Sequence, residues 1–169
     1  MAYHDDLTEH AILLSELDLP QAPNEPDSPR QVHLRRAVSA AYYALFHLLT
    51  SEAAENWKIE RLRGRFARVF QHGTMKNSCG AIKSKHFPSD VGLVPIFDSL
   101  KLVADSFIAL QQLRHSADYD TSRNWSRTEV WEAIAQAQDA MTEWGTIRNQ
   151  AMAQDFLIEL MGGRGAGNG

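Results

Sequence analysis

Apolar residues recur along this chain at intervals of three and four, the period of an α-helix, in blocks separated by Pro, Gly and polar runs. Residues 5–18 put Leu7, Ala11, Leu14 and Leu17 on one helical face. Pro20, Pro23, Pro26 and Pro29 follow, a spacing that favours extended polyproline geometry and predicts a linker. A partner-docking motif is the other reading of those prolines. Ser28-Pro29-Arg30-Gln31 predicts a helix start, with the Ser28 hydroxyl capping, Gln31 reaching back and Pro29 at the first helical position. This helix is expected to run to about Glu55. Residues 37–49 are apolar nearly all round, which makes it the central buried rod.

The spacing predicts a further helix from Asn56 or Trp57, with Ile59, Leu62, Phe66 and Val69 inward, until Gly73 breaks it. A short helix over 74–85 and a loop containing His86, Phe87, Pro88, Ser89, Asp90 and Gly92 follow. Pro95 suits the first turn of a helix to about His115, with Phe97, Leu100, Val103, Phe107, Leu110 and Leu113 inward. Residues 118–125 should turn. Ser126-Arg127-Thr128-Glu129 is a second capping box, opening a helix with Val130, Ile134, Ala137, Met141, Trp144 and Ile147 on one face. Continuous to Met161 it would be roughly 50 Å long at 1.5 Å per residue, against roughly 40 Å for a domain of this size. It is therefore expected to break near Gly145 or to project onto another subunit. Nothing alternates like a strand. The fold class is all-α, an antiparallel bundle of about five to six helices. The expected division is 1–27 for a short helix and linker, 28–161 for the bundle, and 162–169 for a disordered glycine-rich tail.

Charge changes this picture more than composition does. Residues 58–86 hold eight of the seventeen Lys and Arg and one of the twenty-one acids, so they carry +7 while the chain carries -4. The rest of the chain then carries -11. A cationic stretch on an acidic body suggests one face built for an anion. Lys58, Arg61, Arg65, Arg68 and His72 share a stripe at alternating spacings of three and four. The stripe reads either as a solvated face or as a contact for RNA phosphates; it holds no aromatic residue for stacking bases. One cysteine excludes an internal disulfide. With no basic, apolar leader at the N-terminus, a cytoplasmic protein with no membrane span is expected. The seven histidines are dispersed and show no zinc spacing, so no metal and no cofactor are expected.

Two segments carry a family likeness. One is Arg35-Arg36-Ala37-Val38-Ser39-Ala40-Ala41-Tyr42-Tyr43-Ala44-Leu45-Phe46-His47; the other is Leu113-Arg114-His115-Ser116-Ala117-Asp118-Tyr119-Asp120. Their order, with His72-Gly73-Thr74 between them, resembles the HEPN superfamily over about residues 28–145. The resemblance implies a helical bundle that dimerises through its long helices. Some members are metal-independent ribonucleases or toxins that use an Arg followed four to six residues later by His. Others are binding modules or partners of nucleotidyltransferases. Arg114 matches the motif arginine. Tyr119 stands where the histidine of an R-x4-H would be, and Ala40 stands where an arginine is frequent. A tyrosine hydroxyl with a pKa near 10 is a poor substitute for imidazole in acid–base work.

The expected site is a cleft lined by Arg36, Tyr43, His47 and Arg114, with Asp118 and Tyr119 beside it and the stripe as its rim. Arg114 and Asp118, four apart on a helix, can pair. His47 reads as a core histidine or as part of the groove, and His72 as an anion holder at the following helix. The catalytic candidates are Arg114, His47 and His72. The expected function is an RNA- or anion-binding, or regulatory, homodimeric module with a degenerate ribonuclease motif. The alternatives are a toxin-like, metal-independent ribonuclease and the helical half of a nucleotidyltransferase or toxin–antitoxin pair.

Overall fold

A computed structural model describes residues 2–22, 24–85 and 90–162. All regular structure among them is helical: α1 (Tyr3–Glu16), α2 (Gln31–Glu55), α3 (Glu60–Phe66), α4 (His72–Ser84), α5 (Val94–Tyr119), α6 (Arg127–Ile147) and α7 (Ala151–Glu159). Short 3-10 turns at Ala67–Val69 and Val91–Leu93 follow α3 and precede α5. The chain is an all-α bundle with seven helices among the described residues. It exceeds the expected count by one because the last stretch is interrupted, at 148–150.

The apolar character of α2 dictates the architecture. Leu34, Ala37, Val38, Tyr42, Leu45 and Leu49 are fully buried, because α1, α5, α6 and α7 all pack on this helix. Each fully buried Leu or Phe side chain contributes roughly 1.5–3 kcal/mol. Phe97, Leu100, Val103, Phe107 and Leu110 of α5 point inward as their spacing predicts, and Leu113 is partly buried against the same core. α1 lies along α2 and α6, and its Ala11 belongs to the common core.

The capping box at Ser126 forms: Ser126 Oγ accepts from Glu129 N at 3.2 Å, and Ser126 N donates to Glu129 Oε2 at 2.7 Å. The expected cap at Ser28 does not. Arg30 occupies the N-cap of α2 without a side-chain bond, and Gln31 is used elsewhere. Its Nε2 donates to the Trp125 carbonyl at 2.9 Å and its Oε1 accepts from Trp125 N at 2.8 Å, which pins the α5–α6 turn to α2. α1 begins and ends two residues earlier than expected. Leu17 is its extended C-cap and lies outside the core, and Asp18 follows at φ 59°, a left-handed conformation that Asp tolerates.

The segment after α2 departs most from expectation. α3 has only seven residues and buries none of them; Ile59 and Val69 are about half exposed. Phe70, in extended conformation, goes into the core instead. Gly73 does not break a helix but sits in the first turn of α4, which starts at His72. α5 runs four residues past His115, so the turn begins at Asp120. The long last helix does break, at 148–150 and not at Gly145, which is inside α6. α7 folds back on α2, α4 and α5. The expected loop at His86–Ser89 and most of the expected tail, 163–169, lie outside the described residues. Among the described residues no helix is long and apolar enough to cross a membrane.

Arginines from remote elements cap helix C-termini that carry no basic residue in their last turn. Arg127, 4% exposed, donates to the carbonyls of Ser15, Leu17 (3.1 Å) and Asp18 (3.3 Å) at the end of α1, and pairs with Asp27 at 2.8 Å. Arg35 donates to Ala117 O at 2.8 Å in the last turn of α5 and to Arg123 O at 2.5 Å in the turn that follows. Arg148 also lies near the end of α2, but it meets the Glu52 carboxylate at 2.8 Å and not a carbonyl. A cation at a helix C-terminus meets both orphan carbonyls and the negative pole of the helix dipole. Cys79 of α4 is fully buried, and burial, with the Asp105 carboxylate adding to it, pushes its thiol up to about 12.

Candidate functional site

The middle of α2 and the last turns of α5 meet at Arg114. Its Nη2 donates to Tyr43 Oη at 3.0 Å, and its Nε lies 2.8 Å from Asp118 Oδ2. That second contact is an ion pair whose N–H is not aimed at the oxygen. Extension of α5 to Tyr119 keeps positions 114 and 118 one helical turn apart, which is why the pair forms. Ser39 Oγ, buried on α2, donates to the other carboxylate oxygen of Asp118 at 2.7 Å. The acid is thus engaged from both helices. The guanidinium carbon of Arg114 lies 5.6 Å from the Tyr43 ring and 6.0 Å from the ring of Tyr119, which is 65% exposed.

His72 opens α4 behind this pair. Its ring lies 4.4 Å from Phe46 and 5.8 Å from Tyr43, and its Nδ1 is 2.6 Å from Tyr42 Oη. Gln111 Nε2 donates to the His72 carbonyl at 2.9 Å, tying α4 to α5. The Tyr42 phenol is fully buried and strongly biased toward its protonated form by that burial. Its proton needs an acceptor. We therefore assign Tyr42 as donor and Nδ1 of His72 as acceptor, which leaves the proton of neutral His72 on Nε2. Burial, then the Arg114 charge, lowers the His72 pKa; burial, then His72 and His4, lowers that of His47. His47 packs edge-on to Tyr3 at 4.8 Å and lies 6.2 Å from Tyr43.

These depressed values set a sign. The unfolded chain binds protons at these imidazoles that the folded chain refuses, so their stabilising contribution is complete above the ordinary value of 6.5 and is lost as pH falls below it. Urea midpoints should decline as pH falls below about 6.5, and more shallowly in His72→Gln. Parallel curves for the two proteins would contradict the assignment.

Beside Arg114 is a depression of about 430 Å³ lined by Gly73, Lys76, Gln111, Gln112, Arg114 and His115. Lys76 and His115 lie outside the site expected from sequence. The available signal was spacing: position 76 is one turn after His72, and 115 is one turn after Gln111. Arg36 is exposed and makes no hydrogen bond or ion pair among the described residues, so the structure does not bring it into this cluster.

The cationic stripe is also divided. Lys58, Arg61, Arg65 and Arg68 are exposed around α3, at the far end of α2, while His72 turns inward to Tyr42. Tyr43 and Ala53, which mark the two regions on α2, are ten residues or ~15 Å apart along the helix. Lys83 pairs with Asp105 at 3.3 Å and Lys85 with Glu159 at 3.1 Å, which neutralises the end of the positive segment. Among the described residues no group of three or more His, Cys, Asp or Glu side chains converges to hold a metal ion. No family model, curated protein or solved structure matches the chain.

Proposed function

We propose that this chain is an RNA-binding helical module of the HEPN type that grips phosphate at the Arg114 cluster. The observation that carries this reading is an excess of donors. Asp118 already accepts from Ser39 and pairs with Arg114, so its charge is engaged within the protein. Tyr43 Oη accepts from Arg114, which leaves its own O–H to donate outward. Arg114 Nη1 and the Lys76 ammonium add cationic donors at the depression, and a phosphate with several acceptor oxygens matches that inventory. Tyr119, exposed next to Arg114, offers an aromatic face for a base. The motif order around Tyr43 and Arg114 supports the same reading.

Anisotropy of a labelled single-stranded RNA, titrated against salt, tests it. Two phosphates held by Arg114 and Lys76 predict a log–log slope of about -1.4 or steeper. No binding at low salt, or binding indifferent to salt, would remove the proposal.

A second reading, metal-independent RNA cleavage, is favoured by the neutral imidazoles at the cluster. His47, its pKa lowered by burial, is the candidate base and His115 lines the depression, whereas the acceptor nitrogen of His72 is already taken by the Tyr42 hydroxyl. Arg114 would stabilise charge on the phosphorane while a histidine moves the proton. RNA left intact in EDTA at high protein concentration would eliminate this reading and leave the binding module.

A further inference from the structure

The α3 end of the bundle has an apolar groove that the RNA reading does not use. The groove encloses about 340 Å³ between the end of α2, α3 and α7, lined by Ala53, Trp57, Phe66, Leu157, Ile158 and Met161 among others. Trp57 stacks on Phe66 at 5.0 Å yet remains 43% exposed, and Ile158 is 56% exposed at the lip. Exposed aromatic and aliphatic side chains gathered in a concavity are uncommon on a surface that binds nothing.

Around it, residues 57–69 carry five cations and one acid, Glu60. Lys58, Arg61 and Arg65 are exposed and pair with no acid among the described residues. Arg68 donates only to the Gly64 carbonyl and Arg63 only to that of Trp57. These charges contrast with Lys83 and Lys85, which the protein neutralises with its own carboxylates. An apolar slot with an unneutralised cationic rim is complementary to an apolar anchor on an acidic segment.

We propose that this groove docks an acidic amphipathic helix of another protein, with an aromatic or leucine anchor between Trp57 and Ile158 and carboxylates over Arg61 and Arg65. The occupant is a helix because the walls are helix ends, and among the described residues there is no sheet edge that a strand could extend. A protein segment is favoured over an anionic bilayer because the apolar atoms are recessed in a slot, whereas a membrane needs them on a convex face.

The test is a selection from a library of helix-forming random peptides on the full chain, counted in parallel on Ile158→Glu and on the Arg61→Glu/Arg65→Glu pair. All three positions are exposed, and circular dichroism with melting checks each fold. The expected result is enrichment of Asp- and Glu-rich peptides with apolar residues at i, i+3 or i+4. Either variant should weaken them roughly tenfold, the scale of one lost anchor. Enrichment of neutral or basic peptides, equal binding to the variants, or no enrichment would each overturn the proposal. So would sedimentation with vesicles of equimolar phosphatidylcholine and phosphatidylserine that is lost in Ile158→Glu while no peptide binds, since the surface would then be a membrane contact.

Discussion

Arg127→Ala is expected to lower the unfolding free energy by about 3 kcal/mol or more, the scale for stranding several carbonyls at an enclosed helix end. The argument rests on what the guanidinium satisfies. It is almost entirely enclosed and donates to three carbonyls at the end of α1, where that helix supplies no cation of its own. Alanine would leave those carbonyls facing a cavity, at about 1–3 kcal/mol for each one that water does not reach. Asp27 is 43% exposed, so its own loss is largely screened and the carbonyls dominate. Arg127→Lys should fall between, because one ammonium cannot reproduce the planar fork that spans Asp27 and the helix end. Urea unfolding measures the loss, and limited proteolysis between residues 17 and 30 reports release of the connection. A change under about 1 kcal/mol with unaltered protection would show that the cap is dispensable.

Arg114→Ala should weaken RNA binding roughly 10- to 100-fold, as expected for losing about 1.5–3 kcal/mol of hydrogen bonding to a charged group. The salt slope should also become shallower by about 0.7, one phosphate's worth on a single strand. The substitution has a second effect: it unmasks the Asp118 carboxylate, which would repel an anion. The Arg114→Ala/Asp118→Ala protein separates the two. If Arg114 contacts phosphate, the double variant stays weak; if the single variant fails only through the unmasked acid, the double variant recovers. Arg114→Lys keeps the charge but not the geometry, so it should retain part of the salt dependence and lose affinity.

The parts of the fold legible in sequence were those whose pattern is long. α2, α5 and α6 each repeat their apolar positions over many turns, so one wrong position does not shift the face. α3 failed for the opposite reason. Ile59, Phe66 and Val69 keep helical phase, but the helix ends at Phe66, and no residue of that short element has enough neighbours to be enclosed. Gly73 suits a breaker by residue type, yet a single glycine costs a helix only about 1 kcal/mol of backbone entropy, which burial of Met75, Cys79 and Ile82 along α4 outweighs.

The site was half legible. The pairing of Arg114 with Asp118 followed from a four-residue interval. The meeting of Tyr43 with Arg114 was an expectation of the family likeness, because their separation of 71 residues leaves no local trace. Arg35, Arg127 and Gln31 were invisible as tethers. Each finds a backbone group brought near only by tertiary folding, and residue type alone does not distinguish such a side chain from a solvated one.

Cys79 turns one detail of this packing into an instrument. Alkylating reagents attack the thiolate, and a fully enclosed thiol with its pKa at about 12 presents almost none. While the protein stays closed, the sulfur is chemically silent. Each excursion that lifts α4 from α5 wets it and returns it to ordinary reactivity. Its rate of alkylation is therefore a tally of openings at that seam, taken by an atom the chain already owns.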